Sequence, residues 1–129
     1  MLKAPVIAIV DDDDSVREAL SDLLQVTGFA SRAFASANAL LSDAAIDDFD
    51  CIITDVRMPG IDGIQLQARL RTLCPATPLI FITSAHDPAT RNRALECGAH
   101  AYLAKPIGDD VLLAHLESAL DRGERPGAR

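Results

Sequence analysis

Apolar and polar positions along the chain form short apolar runs that alternate with stretches of helical periodicity. Five runs predict β-strands, at residues 6–10, 29–34, 51–54, 79–82 and 101–104. The run at 6–10 is apolar throughout, as in a central strand covered on both faces. The run at 29–34 contains Ser31 and Arg32, which indicates an edge strand. The alternation predicts βα units and a parallel sheet.

The stretches that follow the strands predict five helices. The first has apolar residues at helical spacing from position 16 to position 24, and Gly28 is expected to end it. Either Asp14 or Ser15 is expected to be its N-cap. Ser36 is expected to cap a short second helix, and the fifth is expected to begin at residues 109–110.

The third and fourth predicted helices differ in the apolar surface that they offer the core. Three residues of the third are predicted to face the core, namely Leu66, Leu70 and Leu73. Three others are predicted to face solvent, namely Gln67, Arg69 and Arg71. The fourth, at about residues 89–97, offers mainly Ala94 and Leu95, so we expect it to be loosely docked.

The number of βα units fixes the fold class. Five units in 129 residues predict an α/β domain with a doubly wound five-stranded parallel sheet, strand order 2-1-3-4-5, and helices on both faces. We assign residues 1–122 to this domain. Residues 123–129 are expected to form a linker or a free C-terminal tail.

Composition excludes several classes of protein. No apolar run is long enough to cross a bilayer and no signal peptide opens the chain, so we expect a cytoplasmic protein without membrane contact. The net charge of −7 argues against direct nucleic acid binding by this domain. The three cysteines lack CxxC spacing and are expected to be reduced packing residues.

Polar side chains follow the predicted strands at the edge where parallel α/β sheets bind ligands. Asp11 and Asp12 follow the first strand, and Asp55 follows the third. Thr83 and Lys105 stand at the ends of the fourth and fifth. Three crowded carboxylates would repel one another unless a cation relieved them, and an all-oxygen ligand set suits Mg²⁺.

Five motifs resemble, in order and spacing, those of receiver domains of two-component response regulators. They are residues 9–12, residues 54–60 with Gly63, residues 82–85, Tyr102, and Lys105 with Pro106. The resemblance covers nearly the whole chain and implies a flavodoxin-like fold. Two departures are the extended acid run at Asp13 and Asp14, expected to serve the first helix, and Ile107, which stands where a Phe is common.

The resemblance implies a role for each site residue. Asp55 would accept a phosphoryl group from a histidine kinase phosphohistidine. Asp12, Asp55 and the backbone carbonyl of Arg57 would bind Mg²⁺ directly, with Asp11 assisting. Lys105 and Thr83 would contact the phosphoryl oxygens, and the Lys105-Pro106 bond would be cis. Thr83 and Tyr102 would form the switch that reshapes the surface of the fourth helix, fifth strand and fifth helix.

The resemblance also implies partners. A sensor histidine kinase or a phosphotransfer protein would be the donor, and a homodimer could form through the face of the fourth helix, fifth strand and fifth helix. Residues 55–60 and 81–86 look most like receivers of the nitrogen-fixation and quorum-regulator type, which precede a helix-turn-helix domain. The chain also fits a free-standing receiver.

Two other functions are compatible with the sequence. Residues 11–15 also fit the pattern of haloacid-dehalogenase-type phosphatases, in which Asp11 would be the nucleophile. A degenerate receiver that binds partners without phosphorylation is the second alternative. Arg57 stands two residues after Asp55, and Ala85 stands two residues after Thr83. The second of these positions therefore has no acid or amide to orient an attacking water, and autodephosphorylation is expected to be no faster than moderate.

Overall fold

A computed structural model of the chain describes residues 4–84 and 87–123. The strands are β1 (Val6–Val10), β2 (Ala30–Phe34), β3 (Cys51–Thr54), β4 (Leu79–Thr83) and β5 (Ala101–Ala104). The α-helices of these residues are α1 (Asp14–Val26), α2 (Ala37–Leu41), α3 (Gly63–Leu73), α4 (Pro88–Glu96) and α5 (Asp109–Gly123). One turn of 3-10 helix, Ile46–Asp48, precedes β3.

The five strands form one parallel sheet in the order β2-β1-β3-β4-β5, which confirms the predicted topology. Val10 at the end of β1 pairs with Thr54 at the end of β3. The residues that follow this pair, Asp11 and Asp55, therefore leave the sheet side by side at its carboxyl edge. Thr83 pairs with Ala104, which brings Lys105 to the same edge.

Two apolar layers cover the sheet because strand side chains alternate between its faces. On one face Ala8, Ile52 and Phe81 pack with α2, α3 and α4. On the other face Ile9 and Ile53 pack with α1 and α5, and Ile107 joins this cluster as a partly buried residue. The central strands β3 and β4 are buried along their whole length, whereas β2 is mostly exposed, as expected of an edge strand.

Helix α1 begins one residue earlier than the sequence indicated. Asp13 is the N-cap, and its carboxylate accepts a hydrogen bond of 2.9 Å from the Ser15 backbone N–H. Asp14 is already the first helical residue, so the prediction of Asp14 or Ser15 as the cap was wrong. Neighbouring acids are equally good caps, and the backbone path out of β1 decides between them. The expectation that Asp13 and Asp14 serve this helix is confirmed.

The predicted orientation of α3 was wrong at two positions. Gln67 is only 3% exposed, and its side-chain N–H donates to the Ala94 carbonyl of α4 at 2.9 Å. Leu73, in contrast, is 50% exposed at the end of the helix. The buried stripe is Gly63, Leu66, Gln67 and Leu70, which follows the 3.6-residue period. The Gln67 side-chain N–H has its partner on a second helix, whereas its Oε1 is buried without a hydrogen-bond partner among the described residues.

Helix α4 has little apolar contact with the rest of the domain, as predicted. Ala94 is its one buried residue in the described chain, and Leu95 is half-buried. Asp87 is the N-cap and Pro88 the first helical residue. Gly98 follows the helix with φ of 104°, a left-handed conformation that favours glycine.

The remaining expectations concern the cysteines and the ends of the chain. Cys51, Cys74 and Cys97 are free thiols, and burial raises the pKa of Cys51 to about 12. Among the described residues, no helix is both long and apolar enough to span a bilayer. Residues 124–129 of the predicted tail lie outside the described residues, so the division of the chain at residue 122 stays a prediction.

Candidate functional site

Asp55 sits directly after β3 at the carboxyl edge of the sheet. Its backbone N–H donates to the Val10 carbonyl at 3.0 Å, so the residue is tied to the neighbouring strand. One carboxylate oxygen, Oδ1, accepts a 2.7 Å hydrogen bond from the Val56 backbone N–H. The side chain is 10% exposed, which leaves it reachable from solvent at a fixed position.

The loop after Asp55 is held against the core, and a glycine allows its close approach. Val56 and Met58 are buried. A Cβ added at Gly63 would lie 2.3 Å from the Asp55 carbonyl oxygen and 2.9 Å from the Phe81 ring, so no larger residue fits there without movement of the backbone. The Gly63 N–H donates to the Val56 carbonyl at 2.7 Å and closes the loop.

Asp11 and Asp12 follow β1 but have different surroundings. Asp11 is 1% exposed and uses both carboxylate oxygens, since Oδ1 accepts from the Asp13 N–H at 2.9 Å and Oδ2 from Lys105 at 3.0 Å. Asp12 is exposed. Asp11 is thus a buried, fully hydrogen-bonded carboxylate, whereas Asp12 faces solvent.

Lys105 joins the two strand ends. Its Nζ donates to Asp11 Oδ2 at 3.0 Å and to Asp55 Oδ2 at 3.2 Å, and the Lys105-Pro106 peptide bond is cis, as predicted. Partial burial acts to lower the pKa of this ammonium. The hydrogen bond to Asp11 and the negative charges of Asp55 and Asp11 outweigh burial, so the pKa of Lys105 lies above its ordinary value and the group stays charged.

One carboxylate oxygen from each of Asp11, Asp12 and Asp55 lies within 4.8 Å of the others. Arg57 adjoins this cluster, because its backbone N–H donates to Asp55 Oδ1 at 3.4 Å, while its side chain is exposed. The donor set is all oxygen, and the exposed Asp12 leaves one side open to water. These features fit a hard divalent cation such as Mg²⁺, which keeps several waters.

Thr83 and Tyr102 lie on the neighbouring strands. Thr83 is 1% exposed, and its backbone carbonyl accepts from the Lys105 N–H at 2.9 Å. Tyr102 is half-buried, with its ring centroid 5.9 Å from that of Phe81. Burial, followed by the charge of Asp87, raises the pKa of the Tyr102 hydroxyl, so the phenol is neutral. Ala85, on which the lifetime prediction depends, lies outside the described residues.

Arg17 belongs to the surroundings of this site, and the sequence interpretation gave it no role. Its Nη1 donates to the Asp11 backbone carbonyl at 2.6 Å, and its Nη2 pairs with the Asp14 carboxylate. The spacing of Asp14 and Arg17 on one turn of α1 was a signal for the ion pair. Nothing in the sequence pointed to the contact with the Asp11 carbonyl.

Comparison with known proteins agrees with the fold. A family described as the response regulator receiver domain matches residues 7–117, which is most of the chain. The chain belongs to this family of two-component signalling domains. Members bind Mg²⁺ at a cluster of aspartates, and Asp11, Asp12 and Asp55 form such a cluster here. The interpretation as a phosphatase with Asp11 as nucleophile is not supported.

Individual relatives include transcription regulators. The transcriptional regulatory protein FixJ of Bradyrhizobium diazoefficiens is 37% identical over 123 residues, which cover 95% of this chain and 60% of that protein. The response regulator protein TodT of Pseudomonas putida is 37% identical over 118 residues, or 92% of this chain and 52% of that protein. The chain therefore spans only about half the length of these relatives.

A solved structure shares the fold along nearly its entire length. The chemotaxis protein CheY4 of Vibrio cholerae superposes with a TM-score of 0.84 at 29% identity, covering 91% of this chain and 99% of that one. Nearly all of that chain therefore has the architecture of this domain.

Proposed function

We propose that this chain accepts a phosphoryl group on Asp55 from the phosphohistidine of a sensor histidine kinase or of a phosphotransfer protein. The observation that carries the proposal is the placement of Asp55 Oδ2, which lies 3.2 Å from the Lys105 ammonium at a solvent-reachable edge. Asp11 also contacts Lys105, but its side chain is only 1% exposed, whereas that of Asp55 is 10% exposed. Asp55 is therefore the better placed nucleophile.

The residues present supply what phosphoryl transfer requires. The Asp55 carboxylate is already ionised and attacks phosphorus without a general base, so a new O–P bond forms as the N–P bond of phosphohistidine breaks. The electron pair of the broken bond stays on the imidazole nitrogen. The Lys105 ammonium would pair with the oxygens of the transferred phosphoryl group, and the Thr83 hydroxyl would donate a hydrogen bond to one of them.

Asp12, Asp55 and the Arg57 carbonyl would hold Mg²⁺, with Asp11 assisting from its buried position. When bound, Mg²⁺ would neutralise negative charge on the phosphoryl oxygens. Asp12 would bring its exposed carboxylate to the cation, and Asp55 would be held in orientation by the Val56 N–H at 2.7 Å.

A groove beside Lys105 offers a surface for the donor protein. It encloses about 530 Å³ between α1 and the start of α5, and its walls are mostly apolar, with Val16, Leu20, Ile107 and Leu112 among them. Lys105 lines the same groove and contacts Asp55. A donor helix packed there would have its phosphohistidine close to the acceptor.

Phosphorylation of Asp55 would change the surface through Thr83 and Tyr102. Drawing the Thr83 hydroxyl toward the phosphoryl group vacates space at the end of β4, which the Tyr102 ring would then occupy. Helix α4 is the element most easily displaced, because its one buried residue is the small Ala94 and no partly buried residue of α4 joins the described core clusters. Helix α1 also has one buried residue, but it adds three partly buried apolar residues to the core. A partner or a second copy of the chain would read the change on the face of α4, β5 and α5.

The relatives suggest what the switch controls. FixJ is named a transcriptional regulatory protein and is longer than this chain. We extend the proposal to transcription regulation, in which an attached or separate output domain binds DNA and this domain does not. The domain would then catalyse only its own phosphorylation and dephosphorylation.

A small phosphodonor tests the proposal without knowledge of the kinase. With acetyl phosphate and Mg²⁺, intact-mass measurement should show one added phosphoryl group on the parent chain and none on Asp55→Asn. Removal of Mg²⁺ with a chelator should stop the reaction. Asp12→Asn should weaken Mg²⁺ binding in isothermal titration by about tenfold or more and slow labelling accordingly.

The matched control is Asp22→Asn, which changes an exposed aspartate on α1, and it should label like the parent. Equal labelling of Asp55→Asn and parent would refute the proposal. Unchanged Mg²⁺ affinity in Asp12→Asn would remove Asp12 from the direct ligands.

A further inference from the structure

Arg17 forms hydrogen bonds with both ends of the Asp11–Asp14 loop, which carries two of the three clustered carboxylates. Its Nη1 donates to the Asp11 carbonyl, where the loop leaves β1, at 2.6 Å. Its Nη2 pairs with the Asp14 carboxylate, where the loop enters α1. The Arg17 side chain is 18% exposed, whereas that of Asp14 is 85% exposed. The inner contact, to the Asp11 carbonyl, is thus the better shielded from water.

Asp12 depends on this loop for its position. The residues described in the structure offer its carboxylate no hydrogen-bond partner, so the position of Asp12 is set by the backbone of the loop. That backbone is fixed on one side by the Arg17 contact to Asp11 and on the other by the Asp13 N–H, which donates to Asp11 Oδ1 at 2.9 Å. Loss of the Arg17 contact would loosen the segment on which Asp12 stands.

Arg17 and Lys105 differ in what they contact. Lys105 donates to the carboxylates of Asp11 and Asp55 and so compensates their charge directly. Arg17 meets the Asp11 backbone and an acid outside the cluster, Asp14. The planar guanidinium can reach these two acceptors at once because its donors are arranged in a fork.

We infer that Arg17 is a positioning residue for magnesium binding, which holds the Asp11–Asp14 loop so that Asp12 and Asp11 face Asp55. The inference rests on the proposed function. In this inference Arg17 acts by positioning the loop and not by compensating the charge of the carboxylates.

The two roles predict effects of opposite sign. If Arg17 acted only by its charge, its removal from the vicinity of a dication site would strengthen Mg²⁺ binding. If it positions the loop, its removal weakens Mg²⁺ binding, and the loss of such supporting contacts costs roughly 10- to 100-fold in metal affinity. Arg17→Lys keeps the charge without the fork and should weaken binding in the same direction as Arg17→Ala.

The experiment compares the parent chain, Arg17→Ala, Arg17→Lys and the control Arg69→Ala, an exposed arginine on α3. Mg²⁺ is titrated while backbone amide signals are followed by NMR. The dissociation constant should rise about tenfold or more in Arg17→Ala and stay within about twofold of the parent in Arg69→Ala. With acetyl phosphate, saturating Mg²⁺ should restore most of the labelling rate of Arg17→Ala.

A second readout needs no metal. In the metal-free chain the Asp13 amide should exchange its hydrogen faster in Arg17→Ala than in the parent, while amides of β3 and β4 keep their protection. If Arg17→Ala does not fold, Arg17→Lys carries the comparison. Unchanged or tighter Mg²⁺ binding in a folded variant overturns the inference, as does unchanged Asp13 exchange.

The parent chain reports separately on the proposed function. A parent that binds no Mg²⁺ and accepts no phosphoryl group contradicts that function, whatever the variants do. A parent that does both, with Arg17 variants that match it, contradicts only the role of Arg17.

Discussion

At the scale of single residues, the two carboxylate oxygens of Asp55 have separate tasks. Oδ1 accepts from the Val56 backbone N–H, which fixes the orientation of the group, and Oδ2 faces the Lys105 ammonium. The buried Asp11 shares the same ammonium. One lysine therefore stabilises two neighbouring carboxylates, which would otherwise repel each other at this edge.

Asp43 allows a pH prediction away from the site. A hydrogen bond from Arg32, and then one from the Ala45 N–H, hold the pKa of Asp43 below its model-compound value of 3.8. Because the pKa is lowered in the folded state, the contribution of Asp43 to stability is present above about pH 4 and is lost as pH falls through the folded pKa. Its partner Arg32 has a side chain that is 50% exposed, so solvent screening of the pair keeps this contribution small.

The measurement is urea unfolding of the parent and of Asp43→Asn across acidic and neutral pH. The parent should be the more stable at neutral pH, and the gap should narrow below about pH 4. Asp47→Asn, an exposed aspartate in the 3-10 turn, controls for the change in net charge. A gap that widens toward low pH would contradict the assigned sign.

At the scale of elements, the ends of α4 are held differently. Its first turn is capped by Asp87, whose carboxylate accepts from the Ala89 N–H at 3.2 Å and the Thr90 hydroxyl at 2.7 Å in an exposed setting. Near its other end, the Ala94 carbonyl accepts from the buried Gln67 amide at 2.9 Å. The C-terminal part of α4 is therefore the fixed part, and the N-terminal part is the one free to move.

This asymmetry gives a prediction for the switch. Beryllium fluoride, which mimics a phosphoryl group on Asp55, should shift NMR signals of residues 88–104, and within α4 the changes should be larger near Pro88 than near Ala94. Thr83→Ala should still bind the mimic and lose most of these shifts, because the proposed switch depends on the Thr83 hydroxyl to couple Asp55 to Tyr102. Equal responses of Thr83→Ala and the parent chain would disprove the coupling.

The sequence was most informative where an element depends on its own residues. Strand positions and strand order followed from apolar runs, and the meeting of Asp11, Asp55 and Lys105 followed from parallel strands that end at one edge. The prediction that Gln67 faces solvent was wrong, because its side-chain N–H donates to a carbonyl on another helix. Helical periodicity places position 67 on the buried face, but a side-chain amide is ordinarily solvated, and the residues of α3 alone do not reveal a partner on another helix.

At the scale of the whole molecule, the sheet separates two helical layers, to which the proposed function assigns different roles. The layer of α1 and α5 borders the apolar groove beside Lys105, where a donor would dock. The opposite layer contains α4, which would carry the response. Asp55 follows β3 and Thr83 ends the adjacent strand β4, between these layers, so in the proposed function a phosphorylated Asp55 is reached from one surface and sensed at the other.

The central claim is that Asp55 is the residue that takes the phosphoryl group. The chain is labelled with acetyl phosphate and Mg²⁺ and then reduced with borohydride, which converts an aspartyl phosphate to homoserine. Peptide mass spectrometry then locates the reduced residue. The account predicts reduction at position 55 in the parent and none at Asp11 or Asp12. Reduction at position 11, or labelling that persists in Asp55→Asn, would contradict it.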